Sequence, residues 1–180
     1  MRLFVAVPLP DLTRAALAKW AQGCGPQPGL RWTPAAQLHI TLRFLGEVAD
    51  DRATRVTEAL DGMGVPACTV VFERLEVLGR TGVLAIAARP TSRLTSLAGE
   101  VRSRLASFAE DPEEREFRPH VTLARARRGA SVPRLHSFPP LPALEFTATC
   151  FRLYRSQTRP EGAVYTVIRE WPLEGPSAPR

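Results

Sequence analysis

Two short stretches of this chain repeat one pattern. Leu38-His39-Ile40-Thr41-Leu42 and Pro119-His120-Val121-Thr122-Leu123 each set a His-x-Thr in an apolar run, with the histidines 81 positions apart. Residues i and i+2 of a strand point to the same face. Each stretch therefore projects an imidazole and a hydroxyl side by side and turns aliphatic residues to the opposite face. A single strand of this kind reads most simply as a half-buried, hydrogen-bonded histidine. Two in matching contexts constrain the fold more strongly, because two of the chain's three histidines go into them. Brought together, the strands would supply an acid, a base and two hydroxyl donors, a set suited to proton transfer.

The repeat extends beyond the two motifs. At the same offset Leu3-Phe4-Val5-Ala6-Val7 aligns with Leu84-Ala85-Ile86-Ala87-Ala88, and both read as short buried strands. A helical pattern follows each. One begins near Asp11, with Leu12, Ala15, Ala16, Lys19 and Trp20 at helical spacing. The other begins near Thr91, with Leu94, Leu97, Ala98, Val101 and Leu105 in register. Asp11 and Thr91 or Ser92 are candidate N-caps. Val71–Leu75 resembles Cys150–Tyr154, and Val164–Arg169 reads as a closing strand. The first half adds a helix at about Asp50–Met63, where the second has a Pro- and Arg-rich loop, Arg127–Pro142. With no low-complexity linker between them, the halves, about 1–80 and 81–173, are expected to form one packed unit over residues 1–175. A pseudo-two-fold axis would bring the two His-strands together along a central cleft. The alternative is a single ferredoxin-like sheet. Residues 176–180 read as a disordered tail.

The formal net charge of +6 and pI of about 10.2 suit an anionic partner such as RNA, a nucleotide or another phosphate. Only Lys19 among the 24 basic residues is a lysine, so part of this charge reads as compositional bias. Cys24, Cys68 and Cys150 are dispersed, form no C-x-x-C and have no second Cys or His at metal-ligand spacing. They read as reduced thiols, and the expected location is the cytoplasm. The apolar run at the start meets Pro8 too early for a signal peptide, and no run approaches a membrane span.

The motifs and their flanks resemble the 2H phosphoesterase superfamily. Within it, three features look like the bacterial and archaeal RNA 2′,3′-cyclic phosphodiesterases, first described as 2′-5′ RNA ligases. These are Trp32, the run from Leu38 to Glu47 and the run from Phe117 to Arg125. Arg2–Pro8 and Tyr165–Leu173 also fit, so the resemblance spans nearly the whole chain. It implies a bilobal α+β fold, with antiparallel sheets lining a central cleft and helices packed outside. It also implies hydrolysis of an RNA 2′,3′-cyclic phosphate, or of a small nucleotide of that kind, to a 2′-phosphate without metal or cofactor. By resemblance His39 is the proton donor to the departing 3′ oxygen and His120 the proton acceptor that activates water. From the residues alone the two are nearly equivalent.

Thr41 and Thr122 can donate hydrogen bonds to phosphate oxygens as charge develops there. Arg125 matches the family's arginine five residues after the second histidine, a phosphate or RNA clamp. Strict alternation sets it on the face opposite His120, so the strand must kink after Leu123 or Arg125 must reach round from the edge. Arg43 shares the parity of His39 and Thr41 and is a second substrate-binding candidate. Trp32 and Phe44 could stack on a base, although core packing is the simpler reading of both. Arg125, Arg127, Arg128 and Arg134 could track an RNA backbone or simply be solvated. His136 reads as a surface histidine. Two alternatives stay open beside hydrolysis: 2′-5′ ligation of RNA ends by the reverse reaction, and a binding module without turnover. No lysine lies near either motif, which argues against ligation through a lysyl-adenylate. The built-in duplication removes the need for a protein partner, and a monomer is expected.

Overall fold

The computed structural model of the chain describes residues 1–79, 82–109, 116–159 and 162–175. The strands are β1 (Arg2–Pro8), β2 (Leu30–Trp32), β3 (His39–Glu47), β4 (Cys68–Leu78), β5 (Val83–Ala88), β6 (His120–Ala126), β7 (Glu145–Ala148), β8 (Cys150–Arg159) and β9 (Gly162–Pro172). The helices are α1 (Asp11–Gly23), α2 (Asp50–Ala59) and α3 (Ser92–Arg104). The expected disordered tail, 176–180, lies outside the described residues.

The strands join in one sheet of order β7-β4-β5-β6-β3-β1-β8-β9, with β2 also paired to β6. Every pairing of the named strands is antiparallel. The expectation of separate sheets is therefore corrected to one continuous path. Its centre is narrow, because β3 and β6 meet at a single registered pair, Ile40 with Val121. Beyond that point β2 takes the place of β3 beside β6, through Leu30–Ala126, Arg31–Arg125 and Trp32–Ala124.

The two faces of this sheet differ. One carries Leu3, Val5, Val7, Ile40, Leu42, Leu84, Ile86, Val121 and Leu123, packed into one large core with helix residues Leu17, Trp20, Leu94, Leu97 and Val101. On the other face a small cluster of Phe4, Ala6 and Tyr154, with Tyr165 against it, stands apart. The two-residue alternation of β1, β3 and β6 produces this division away from their register shifts, since each strand there sends every second side chain under the helices.

α3 forms as its pattern predicts. The Thr91 hydroxyl accepts from the Leu94 N–H at 3.4 Å as N-cap, and Leu94, Leu97, Ala98 and Val101 are buried. Burial of each leucine contributes about 1.5–3 kcal/mol. α1 departs from its predicted face. Pro10 rather than Asp11 occupies the N-cap, and the buried residues are Thr13, Leu17 and Trp20, while Leu12 is 87% exposed. A helix this rich in alanine offers two nearly equal stripes, and Trp20 beneath the sheet selects one. α2 stops at Ala59, short of Met63, as the chain turns through Leu60.

Candidate active site

Each histidine is set by its own neighbours. His39 Nδ1 lies 2.7 Å from the Gln37 carbonyl oxygen, and His120 Nδ1 lies 2.8 Å from that of Arg118. A carbonyl can only accept, so in both rings Nδ1 carries the proton and Nε2 is left for chemistry. The intervening residue makes this hook possible. Pro119 fixes its own φ near about −65°, and Leu38 adopts φ −69° without being proline.

The residues that hold the rings are themselves held. Gln37 Nε2 donates to the Ala163 carbonyl on β9 at 2.8 Å. Arg118 Nη2 donates to Glu76 on β4 at 3.4 Å. Each imidazole is thus tied, through one carbonyl and one side chain, to the outer part of its own half of the sheet.

Antiparallel pairing about Ile40 and Val121 sets His39 toward Thr122, and Thr41 toward His120. The two imidazoles become diagonal neighbours, for which Cα spacings run about 7–8 Å. Positive charge on His120 disfavours a proton on His39, in keeping with that placement.

A bulge in each strand completes the floor. On β3, Val5 faces Arg43 and Ala6 faces Thr41, so Leu42 is the extra residue. On β6, Leu84 faces Ala124 and Ala85 faces Thr122, so Leu123 is extra. An extra residue reverses the parity of everything beyond it. Arg125 consequently shares the face of His120 and Thr122, and the expected kink sits after Leu123. The same shift corrects two other readings. Arg43 is turned to the helix side, 4% exposed, and is not part of the pocket. Phe44 takes the pocket position in its stead, 63% exposed, where core packing was the simpler expectation.

The resulting pocket has a volume of about 460 Å³. Its floor is His39, Thr41, His120 and Thr122, and Arg31, Arg125 and Arg159 line it, with no carboxylate among the described residues. Arg31 and Arg125 face each other directly across β2 and β6. Sequence reading passed over Arg31, Gln37, Arg159 and Tyr165. Arg31 stands one position before the quoted Trp32, and no local pattern marks the other three. Trp32 serves both its readings, lining the pocket while its ring meets Trp20 edge-on at 6.2 Å.

The two histidines differ in surroundings. The His39 ring lies 5.0 Å from Phe4, 5.5 Å from Tyr165 edge-on and 6.3 Å from Tyr154. Among the described residues His120 meets no such ring, and its anchoring hydrogen bond is exposed. Burial holds the His39 pKa below the usual imidazole value. Positive charge on His120 and Arg125 adds to this, and the Gln37 hydrogen bond works against it.

Among the described residues, no three His, Cys, Asp or Glu side chains stand together as metal ligands. Cys24, Cys68 and Cys150 are free thiols. His136 is exposed and remote from the pocket lining. No helix among the described residues is long and apolar enough to cross a membrane.

The sequence profile of the 2′-5′ RNA ligase superfamily matches residues 9–160. The chain belongs to that superfamily. It is 33% identical to an RNA 2′,3′-cyclic phosphodiesterase of Thermus thermophilus, over 97% of this chain and 91% of that one. It is 30% identical to an Escherichia coli protein of the same description, over 96% of each. Among solved structures, a Thermus thermophilus protein superposes with a TM-score of 0.83 at 31% identity, covering 97% of this chain and 99% of the other. E. coli LigT in complex with 3′-AMP superposes at 0.82 and 29% identity, covering 96% and 98%. The superfamily member described here thus shares both sequence and fold with these proteins along almost its whole length.

Proposed function

We propose that this protein hydrolyses RNA 2′,3′-cyclic phosphate ends to 2′-phosphates, with His39 and His120 as the acid–base pair. The observation that carries this reading is the matched anchoring of the two imidazoles. Both present Nε2 from one floor, beside two threonine hydroxyls and an arginine that the strand bulge brings to the same face. His120 Nε2 takes a proton from water as the water oxygen bonds to phosphorus. The bond from phosphorus to the 3′ oxygen breaks, and His39 Nε2–H protonates that oxygen. Thr41, Thr122 and Arg125 stabilise the charge on the non-bridging oxygens.

The surroundings support this order of roles. His120 is the less enclosed ring, its anchoring hydrogen bond exposed, and His39 is flanked by aromatic rings. The lowered pKa of His39 belongs to the unliganded pocket. A bound phosphate is an opposite charge at hydrogen-bond range and raises it.

The repeat supports reading the sheet as a duplicated, bilobal unit over residues 1–175. Its order places β3 beside β6, then β1 and β5, then β8 and β4, then β9 and β7, outward from the centre. Equivalent registers are Pro8–His39 with Ala87–His120, and Ala6–Thr41 with Ala85–Thr122. The first strands therefore correspond at an offset of 79 rather than 81. The free thiols fit a cytoplasmic setting, and the site draws both histidines from one chain, as a monomer requires.

The test is a short RNA ending in a 2′,3′-cyclic phosphate. The expected product carries a 2′-phosphate, identified by its resistance to a 3′-specific phosphatase. A 3′-phosphate product, or no turnover, would reject the reading.

A further inference from the structure

A second pocket, of about 620 Å³, lies beyond the catalytic one and shares Trp32 and Thr33 with it as a common wall. Its other walls are Ala18, Ala21 and Gln22 at the end of α1, the loop from Gly25 to Pro28, Leu30, and Arg127. Among the described residues it contains no carboxylate. An apolar wall with an exposed amide and one guanidinium suits a nucleobase with its phosphate better than it suits a purely apolar ligand.

The path into this pocket is basic. Arg31 and Arg125 oppose each other across β2 and β6, an arrangement that costs stability unless an anion lies between them. Among the described residues neither has an acidic partner, and neither does Arg127. Arg125 and Arg127 are two positions apart, about 6.6 Å along an extended chain, a spacing of the order of successive phosphates in a single strand. The catalytic order points the same way, and to that extent this inference rests on the proposed function. The departing 3′ oxygen belongs to the terminal nucleoside and sits by His39. His39 faces Thr122 across the strand pair, and Arg125 follows Thr122 on β6, so Arg125 lies at that end of the floor. The chain upstream of the terminal nucleoside therefore leaves past Arg125 and Arg31 toward Trp32.

We propose that the second pocket seats the nucleotide upstream of the cyclic end, its phosphate on Arg127, so that the enzyme selects RNA strands over cyclic mononucleotides. The experiment compares kcat/KM for a cyclic mononucleotide, a dinucleotide and a tetranucleotide, each ending in a 2′,3′-cyclic phosphate. Wild-type protein is compared with Arg127→Gln and Gln22→Glu. The inference expects kcat/KM to rise with length. Arg127→Gln should lower it about five- to ten-fold on the tetranucleotide, leave the mononucleotide unchanged and reduce the salt slope by about one. Gln22→Glu, which places a carboxylate in the pocket, should flatten the rise as well. Equal turnover at all lengths, or length dependence that both variants retain, would overturn this inference and leave the proposed function standing. No turnover of any cyclic substrate would overturn both.

Discussion

At the scale of single residues, the proposed site pairs two imidazoles that are chemically alike and electrostatically different. His39→Ala and His120→Ala should each lower kcat by about 10²–10⁴-fold while the thermal midpoint shows the fold retained. Near-wild-type turnover in either variant would refute a paired-histidine mechanism. The pH dependence of kcat/KM should be bell-shaped, its two limbs belonging to the coupled pair. Arg125 lowers the His39 pKa. Arg125→Gln should therefore move the limb that reports His39 toward higher pH, besides weakening substrate binding. An unmoved profile would sever that link. Stability follows from the same shift. The folded-state pKa of His39 lies below its unfolded value of about 6.5, so the fold disfavours the charged ring. This group's contribution is complete above about pH 6.5 and is lost as pH falls through that value toward the lower, folded pKa. Thermal midpoints measured across this range should fall less steeply on the acid side for His39→Gln than for wild type.

At the scale of elements, the two bulges decide which side chains reach substrate. Leu42 and Leu123 each add one residue to a strand and change the face of the side chains that follow, on β3 as far as Phe44, since Leu45 is a second extra residue there. The sequence signals this only indirectly. Arg125 could be recognised as a pocket residue through the resemblance, while its parity argued against it. Arg43 had favourable parity but no role implied by the resemblance, and the bulge turned it under the helices. Deciding between them required the hydrogen-bond register of β1 and β5, which no local pattern in β3 or β6 contains. The outer ties are a second feature of this scale. Gln37 reaches β9 and Arg118 reaches β4, so each carbonyl that orients an imidazole is braced from the far side of its half. Gln37→Ala and Glu76→Gln should lower kcat by roughly 3–30-fold, more than they raise KM, because a ring slightly out of line loses proton transfer before it loses binding. Gln37→Glu keeps the side-chain length but offers only acceptors to the Ala163 carbonyl, and should not rescue. An effect on KM alone would show that these residues merely line the pocket.

At the scale of the whole molecule, one sheet separates two jobs. Its helix face buries the large core, and its open face carries polar and charged groups that such a core would not tolerate unpaired. The paired-imidazole scheme uses protein groups alone, so turnover of a cyclic-phosphate RNA should persist in EDTA. Loss on chelation, restored by a divalent ion, would replace it with metal-assisted hydrolysis. The sequence by itself determined the three helices and seven of the nine strands, all but β2 and β7, together with the two His-x-Thr units and the superfamily. These are written in period-2 and period-3.6 patterns and in short motifs, where neighbours along the chain decide the outcome. Tertiary structure alone decided the single sheet path, the strand registers, the exchange of Arg43 for Phe44, and the gathering of Arg31, Arg159 and Tyr165 in one pocket with His39 and His120. Each of these depends on hydrogen bonds between strands far apart in the chain. Which residues those bonds pair is fixed by how the two halves pack, a property that no stretch of the sequence holds on its own.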